Sequence, residues 1–264
     1  MKINSRAFVS FDEYCPFDCK HCYTYDIERT SYRSMDEIVN SISKQQFDVV
    51  YVSQKNDNFA VPERGIQLCQ NLFDKYRCNI FAITRNTLSD RDIHKIQDLS
   101  IRMRESNKLF VFAVSISAIE SASKTENADR VPSPLSRIAF IKQLSDSGIP
   151  VIAMIRPVYP DKIIPITELA KIIDLCRGHV SCVVSGGLGV NDNILARLDM
   201  TRDAFTYYEN YEYLQGAIDC EINFVNVADE LNLLRAKCAG VSLPFFEHSM
   251  PALNFLYNQA MKIA

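Results

Sequence analysis

Short runs rich in β-branched and aromatic residues recur along the chain, and between them lie longer stretches whose apolar residues return at helical spacing. The runs Ala7 to Phe11, Val49 to Ser53, Asn79 to Thr84, Leu109 to Ser115, Val151 to Ile155 and Ser181 to Ser185 read as strands. The stretches Met35 to Gln45, Glu63 to Tyr76, Ser89 to Arg104, Pro134 to Ser147 and Ile166 to Arg177 read as helices. Ser34 or Asp36 opens the first helix, Ser133 caps the one that begins at Pro134, and Gly148 and Gly178 stop two others. Six strand-helix repeats, with strands apolar on both faces, predict an α/β fold with a parallel sheet, a partial (β/α)6 barrel of the TIM type. An open doubly wound sheet is the alternative. In both, ligands gather at the carboxyl ends of the strands.

A chain of 264 residues, 47% of them hydrophobic, can bury one large core. Residues 1–190 form the expected barrel core. Past Gly189 the alternation weakens, and residues 191–264 read as an α-rich flank or cap of the same domain. Helices are expected at Asp203 to Leu214, Ala228 to Lys237 and Ala252 to Ile263, and a strand at Glu221 to Val227, with Pro244 and Pro251 as breaks. The net charge of −3 comes without a basic run, so nucleic acid is not an expected partner. Met1 to Phe11 resembles neither a signal peptide nor a membrane span, and a cytoplasmic protein is expected.

Nine cysteines occur, three of them within eight residues, in the stretch Cys15-Pro16-Phe17-Asp18-Cys19-Lys20-His21-Cys22. Disulfides explain such crowding poorly, whereas reduced thiols on one tight loop suit a soft metal. Three thiolates bind a cubane at three irons and leave the fourth open to a cofactor or substrate. A structural cluster, or a zinc site completed by Cys238 or His248, is the alternative.

The CxxxCxxC spacing just after a first strand resembles the radical S-adenosylmethionine superfamily. The resemblance implies a [4Fe-4S] cluster on Cys15, Cys19 and Cys22, with S-adenosylmethionine chelated to the open iron. It also implies reductive cleavage to a 5′-deoxyadenosyl radical, fed by an external one-electron reductant such as a flavodoxin or ferredoxin. By the same resemblance His21 lies near the adenine, assisted by Tyr23. The likeness runs over roughly Phe8 to Pro160 toward the spore photoproduct lyase branch. Ser53 to Glu63 matches a motif there at Asp57 and Glu63, which places Asn56 and Asp57 among the implied cofactor contacts. Arg85 stands where that branch has a lysine, facing the cofactor carboxylate, and Ser115 matches a further cofactor contact. Val131-Pro132-Ser133, Arg137 and Arg156-Pro157-Val158-Tyr159-Pro160 complete the similarity. The hydrogen-donating cysteine of the lyase is replaced by Gln54, beside Ser53, so a different reaction is expected.

Gly186-Gly187-Leu188-Gly189, at a strand's end, would let a cofactor approach closely or would simply turn the chain. Arg156 would bind an anionic group or form a rim salt bridge. Tyr207, Tyr208, Tyr211 and Tyr213 are expected to pack in the core, the alternative being a cover over the barrel mouth. Cys176, Cys182, Cys220 and Cys238 lack the paired spacing of an auxiliary cluster, and Cys69 and Cys78 also lie in apolar patterns. His94 and His179 read as surface residues, and His248 as a candidate substrate contact. The expected substrate is a small polar metabolite, a nucleotide or a natural-product precursor, with nucleic acid or peptide modification as the alternative. From another class, a non-catalytic sensing protein would use the cluster or zinc only structurally.

Overall fold

Val49–Val52 (β2) and Phe110–Ser115 (β4) are buried at every position, which requires cover on both faces of the strand. In the computed structural model, which describes residues 2–12, 14–25, 33–208 and 222–263, that cover is complete. The two strands belong to a parallel sheet with Arg6–Val9 (β1), Asn79–Thr84 (β3), Val151–Val158 (β5), Cys182–Gly187 (β6) and Phe245–Phe246 (β10). The order is β1-β2-β3-β4-β5-β6-β10, and every neighbouring pair is parallel. The sheet is an open, partial barrel of seven strands where the sequence predicts six. Phe245–Phe246, only two residues long, is too short to give a periodic signal.

Alternation along the strands builds two cores. Val50, Val52, Ile80, Ala82, Phe112, Val114, Ala153 and Ile155 point outward into the larger one, against the helices Pro62–Tyr76 (α2), Asp90–Glu105 (α3), Pro134–Asp146 (α4) and Ile166–Cys176 (α5). Tyr51, Phe81, Val111, Ala113, Ile152, Met154 and Val184 point to the concave side. There the last helix, Ser249–Ile263, presses Ala252, Leu253, Leu256 and Tyr257 into the barrel. Asn254 fixes it to the start of the chain, accepting from Ile3 N at 2.7 Å and donating to Ile3 O at 2.9 Å. Pro251 falls in this helix's first turn, where its missing N–H costs nothing, rather than breaking the chain.

The predicted caps form. Ser34, not Asp36, opens Met35–Asn40 (α1) in a reciprocal capping box with Glu37, and Ser133 accepts from Ser136 N. Gly148 and Gly178 adopt positive φ, +70° and +81°. Helix α1 ends at Asn40 rather than Gln45, with the Ser41 hydroxyl donating to Ile38 O.

The helix expected over Asp203 to Leu214 is not formed in its described part. Arg202–Ala204 makes one 3-10 turn, and Tyr207–Tyr208 (β8) pairs antiparallel with Asn223–Val225 (β9), which also pairs with Gly189–Val190 (β7). Aromatic residues fit a pleated surface well, and the neighbouring strand overrides the helical spacing. Tyr211, Tyr213, Leu214 and Cys220 lie outside the described residues. No helix among the described residues is long and apolar enough to cross a membrane.

Candidate active site

At the carboxyl end of the sheet the loops enclose a cavity of about 320 Å³, within the range of small-molecule sites. Cys15, Cys19, His21, Cys22 and Tyr23 reach it from the loop after β1, and Asn56 and Asp57 from the loop after β2. Arg85 enters from the end of β3, Ser115 from β4, Arg156 from β5 and Gly187 from β6. The fold therefore gathers eleven of the twelve site residues picked out from the sequence. Gly186 is not a lining residue. A Cβ there would lie 3.0 Å from Arg156 Nε, so the missing side chain leaves room for that guanidinium.

The cysteine loop is held from three sides. Thr125 O, after β4, accepts from Lys20 N at 3.0 Å and faces His21 Nδ1 at 3.2 Å. Tyr23 and Thr24 donate their hydroxyls to Gln54 O and Lys55 O, at 2.9 and 2.8 Å. Arg197, in the short helix Asp192–Arg197 (α6), donates to Lys20 O and Cys22 O, both at 2.9 Å. Burial pushes the Cys19 thiol up to about 12, against the pull of Arg85. Cys15 is also raised by burial, while the backbone amides of Asp57 and Phe17 favour its thiolate.

Behind the loop lies a closed set of charges. Glu126 bridges two arginines, pairing one oxygen with Arg85 and gripping Arg137 with both. The Arg137 side chain is 0% exposed and that of Glu126 3%, so each ion depends on the other for its solvation. Burial works against the charge on Arg85, but Cys19 and Glu126 outweigh it and the pKa rises. Arg85 Nη2 also reaches His21 Nε2 at 3.1 Å. Guanidinium has no acceptor, so Nε2 is the unprotonated nitrogen and Nδ1 carries the proton toward Thr125 O. Burial, then Arg85, holds His21 well below its ordinary pKa and keeps it neutral. The Tyr159 hydroxyl stands 2.7 Å from the same Nδ1.

Asp57 ties the ends of β2 and β3 together. It accepts from Arg85 N at 2.6 Å, from the Thr84 hydroxyl at 3.0 Å and from Phe59 N at 2.9 Å. Burial raises it to about 6 in spite of these bonds. Arg156 O collects three donors, from Arg85 at 3.1 Å, Ser115 at 3.2 Å and Ser117 at 3.0 Å. The Ser115 hydroxyl is thus engaged by backbone while it faces the cavity.

Other candidates stand elsewhere. His94, His179 and His248 do not line the cavity. Cys176, Cys182 and Cys238 are buried, and burial pushes their thiols up to about 12, 12 and 11, as suits inert core residues. Among the described residues no three His, Cys, Asp or Glu side chains converge so as to hold a single metal ion. Tyr207 packs against the larger core, and Tyr208 stacks on Phe224 at 5.8 Å. Sequence reading did not pick out Glu126, Thr125 or Arg197, each of which acts on residues more than forty positions away and carries no local signal.

No protein-family model and no curated protein matches the chain in sequence. In structure it is similar to SuiB of Streptococcus suis bound to S-adenosylmethionine (11% identity, TM-score 0.55, 92% of this chain and 50% of that one). The same protein bound to its precursor peptide SuiA gives 10% identity and a TM-score of 0.57 over 93% and 49% of the two chains. A radical SAM methyltransferase from Sphaerobacter thermophilus gives 16% identity and a TM-score of 0.55 over 91% and 64%. The chain thus spans about half to two thirds of the length of these proteins. At such identities the likeness is one of fold, and the fold is the partial barrel of a solved radical SAM methyltransferase and of an S-adenosylmethionine-bound protein.

Proposed function

We propose that this chain is a radical S-adenosylmethionine enzyme, with Cys15, Cys19 and Cys22 holding a [4Fe-4S] cluster. The observation that carries the reading is the meeting of three thiols from one CxxxCxxC loop with a half-buried arginine, Arg85, in a cavity at the carboxyl ends of parallel strands. The donor set fits. Thiolates are the ligands such clusters take. The surroundings fit as well: the Arg85 charge beside Cys19 favours its thiolate. When bound, the cluster supplies an electron to S-adenosylmethionine and its cleavage yields a 5′-deoxyadenosyl radical.

The chain's own residues hold and orient. Arg85 sets positive charge beside Cys19 and, through its backbone N–H on Asp57, fixes the end of β3 relative to β2. His21 and Tyr23 lie on the adenine side, and Ser115 and Asn56 on the cofactor's polar side. Arg197 and Thr125 O keep the loop in place. The resemblance to the spore photoproduct lyase branch stays part of this reading, with Ser53 and Gln54 in the cavity wall where that lyase has its hydrogen donor. The proposed substrate is a small polar molecule, for which Ser53, Gln54 and Asn56 on the cavity wall supply polar contacts. An external one-electron donor of the flavodoxin or ferredoxin kind completes the scheme.

Anaerobic reconstitution tests this. About four irons and four sulfides per chain are expected, with an electron paramagnetic resonance signal that changes on adding S-adenosylmethionine and is lost in Cys19→Ala. One zinc per chain, or a signal indifferent to S-adenosylmethionine, would refute it.

A further inference from the structure

The cysteine loop has two sides. Cys15, Cys19, His21 and Cys22 turn into the cavity, whereas Lys20, between Cys19 and His21, is not a lining residue. Its backbone is held by Thr125 O and by Arg197, and its ammonium donates to Ser123 O at 3.0 Å on the surface. One residue on, the exposed Lys124 ends the 3-10 turn Ala122–Lys124 and donates to Ile163 O at 3.3 Å. Beside Ile163, the exposed Lys162 donates to Ala204 O at 2.6 Å and lies 3.6 Å from the centre of the Phe205 ring. Lys20 and Lys124 are thus each laid on a carbonyl next to the following lysine, and the three form a row that starts beside Cys19.

A carbonyl fixes an ammonium without cancelling its charge. Among the described residues the three lysines rest on carbonyls, whereas Lys95, Lys171 and Lys237 pair with Asp92, Glu120 and Asp174. Asp18, in the cysteine loop, is paired with Arg130, Glu126 is paired with Arg85 and Arg137, and Asp161 accepts from Ile166 N at 2.7 Å. An ammonium has three donors, so a lysine that gives one to a carbonyl keeps others for a partner. Two tyrosines project beside the loop. Tyr14, next to Cys15, is 45% exposed, Tyr25 is 41% exposed, and their rings meet edge to face at 5.8 Å. Arg197 links them to Lys20, donating to Lys20 O at 2.9 Å with its guanidinium carbon 4.6 Å from the centre of the Tyr25 ring. Preorganised cations beside exposed aromatic rings make a protein-docking face. The chain as a whole carries a charge of −3, so an acidic partner is attracted by this row and not by the surface at large.

We propose that the outer side of the cysteine loop docks a small acidic one-electron carrier protein through Lys20, Lys124 and Lys162. The inference rests on the radical reading and names the face that the external reductant uses. The reduced flavin or iron-sulfur centre of the carrier loses one electron to the cluster on Cys15, Cys19 and Cys22, and no bond is made or broken. Because the row lies outside the cavity, the carrier can bind while cofactor and substrate fill the chamber.

The test is calorimetric titration of the anaerobically reconstituted full chain with an acidic flavodoxin and, separately, with an acidic ferredoxin. Binding of at least one carrier is expected at an ionic strength of about 0.01 M, and about tenfold or more weakly at about 0.15 M, where the screening length has fallen from ~30 to ~8 Å. At the lower strength Lys124→Glu combined with Lys162→Glu should weaken binding about tenfold or more, and Lys20→Gln less. Lys142→Glu, exposed on α4, should leave it unchanged. On the same preparations 5′-deoxyadenosine is measured with the reduced carrier and with dithionite as donor, and the ratio of the two should fall in the double variant. Near-ultraviolet circular dichroism checks that each variant is folded. Three results would overturn the proposal: no binding of either carrier at low ionic strength, binding or a product ratio that the double variant leaves undiminished, or tighter binding of a single-stranded oligonucleotide than of either carrier. Absence of product with dithionite is failure of the radical reading instead, and the binding result then decides the docking face by itself.

Discussion

The two ends of the cavity handle charge in opposite ways. At the cysteine loop every ion has a partner: Glu126 lies between Arg85 and Arg137, Asp57 is saturated by backbone and hydroxyl donors, and His21 is held neutral. On the wall below, aromatic rings stand against Arg6, and a glycine leaves room for Arg156. The first arrangement is preorganised and costly to disturb, as suits the support of a resident group. The second leaves Arg6 exposed on ring faces, where a change costs less.

The sharpest way to break this contrast is to open the closed end. Glu126→Gln leaves Arg137 charged and fully buried with no carboxylate, and should cost about 3–5 kcal/mol in urea unfolding. Arg6→Gln, on the wall, should stay within about 0.5 kcal/mol of the parent, as expected of an exposed position. Equal losses would remove the distinction.

Next in size is Glu168, in α5, which accepts from Ile119 N at 2.8 Å, Glu120 N at 2.9 Å and Ser121 N at 3.1 Å. It pins the loop after β4 that carries Thr125 and Glu126 to the site. Burial would raise its pKa, but the Ser121 hydroxyl and these amides win, and it lies below the ordinary glutamate value. Glu168→Ala should therefore cost about 1–3 kcal/mol at neutral pH. A depressed folded-state pKa means that this stability is present above the unfolded value and is lost as pH falls through the folded one. The gap between parent and variant should close on acidification below about 4.5. A gap independent of pH would show that the carboxylate does not act through its charge.

The smallest effect on stability is expected from Gly186→Ala. The nearest atoms to the new methyl belong to the movable end of Arg156, so the fold should lose less than about 1 kcal/mol. A loss above about 2 kcal/mol in urea unfolding would show that Arg156 does not yield there.

Much of this was legible in the sequence because it is local. The strands from Val49, Asn79 and Val151 begin where the β-branched runs begin, and Ser34 and Ser133 announce their helices. The cysteine loop and Arg85 are legible for another reason, since each follows directly on a strand and the fold class says where strand ends meet. Glu126 was not legible. It lies in a polar loop like any solvated one, and only its tertiary contacts, to Arg85 across 41 positions and to the buried Arg137, give it a role. Arg197 reaches back 177 positions to Lys20, and the last helix fills the concave face through residues whose periodicity fits an ordinary surface helix equally well. Tyr207 and Tyr208 were misread because strand pairing with Val225 and Phe224 outweighs helical spacing.

The central claim, that Cys15, Cys19 and Cys22 hold a cluster that cleaves S-adenosylmethionine, is tested most directly by chromatography of the products after anaerobic reduction of the reconstituted chain. The account predicts 5′-deoxyadenosine from the parent and none above background from Cys19→Ala. An iron-loaded, reduced parent that yields no more 5′-deoxyadenosine than this variant would contradict it.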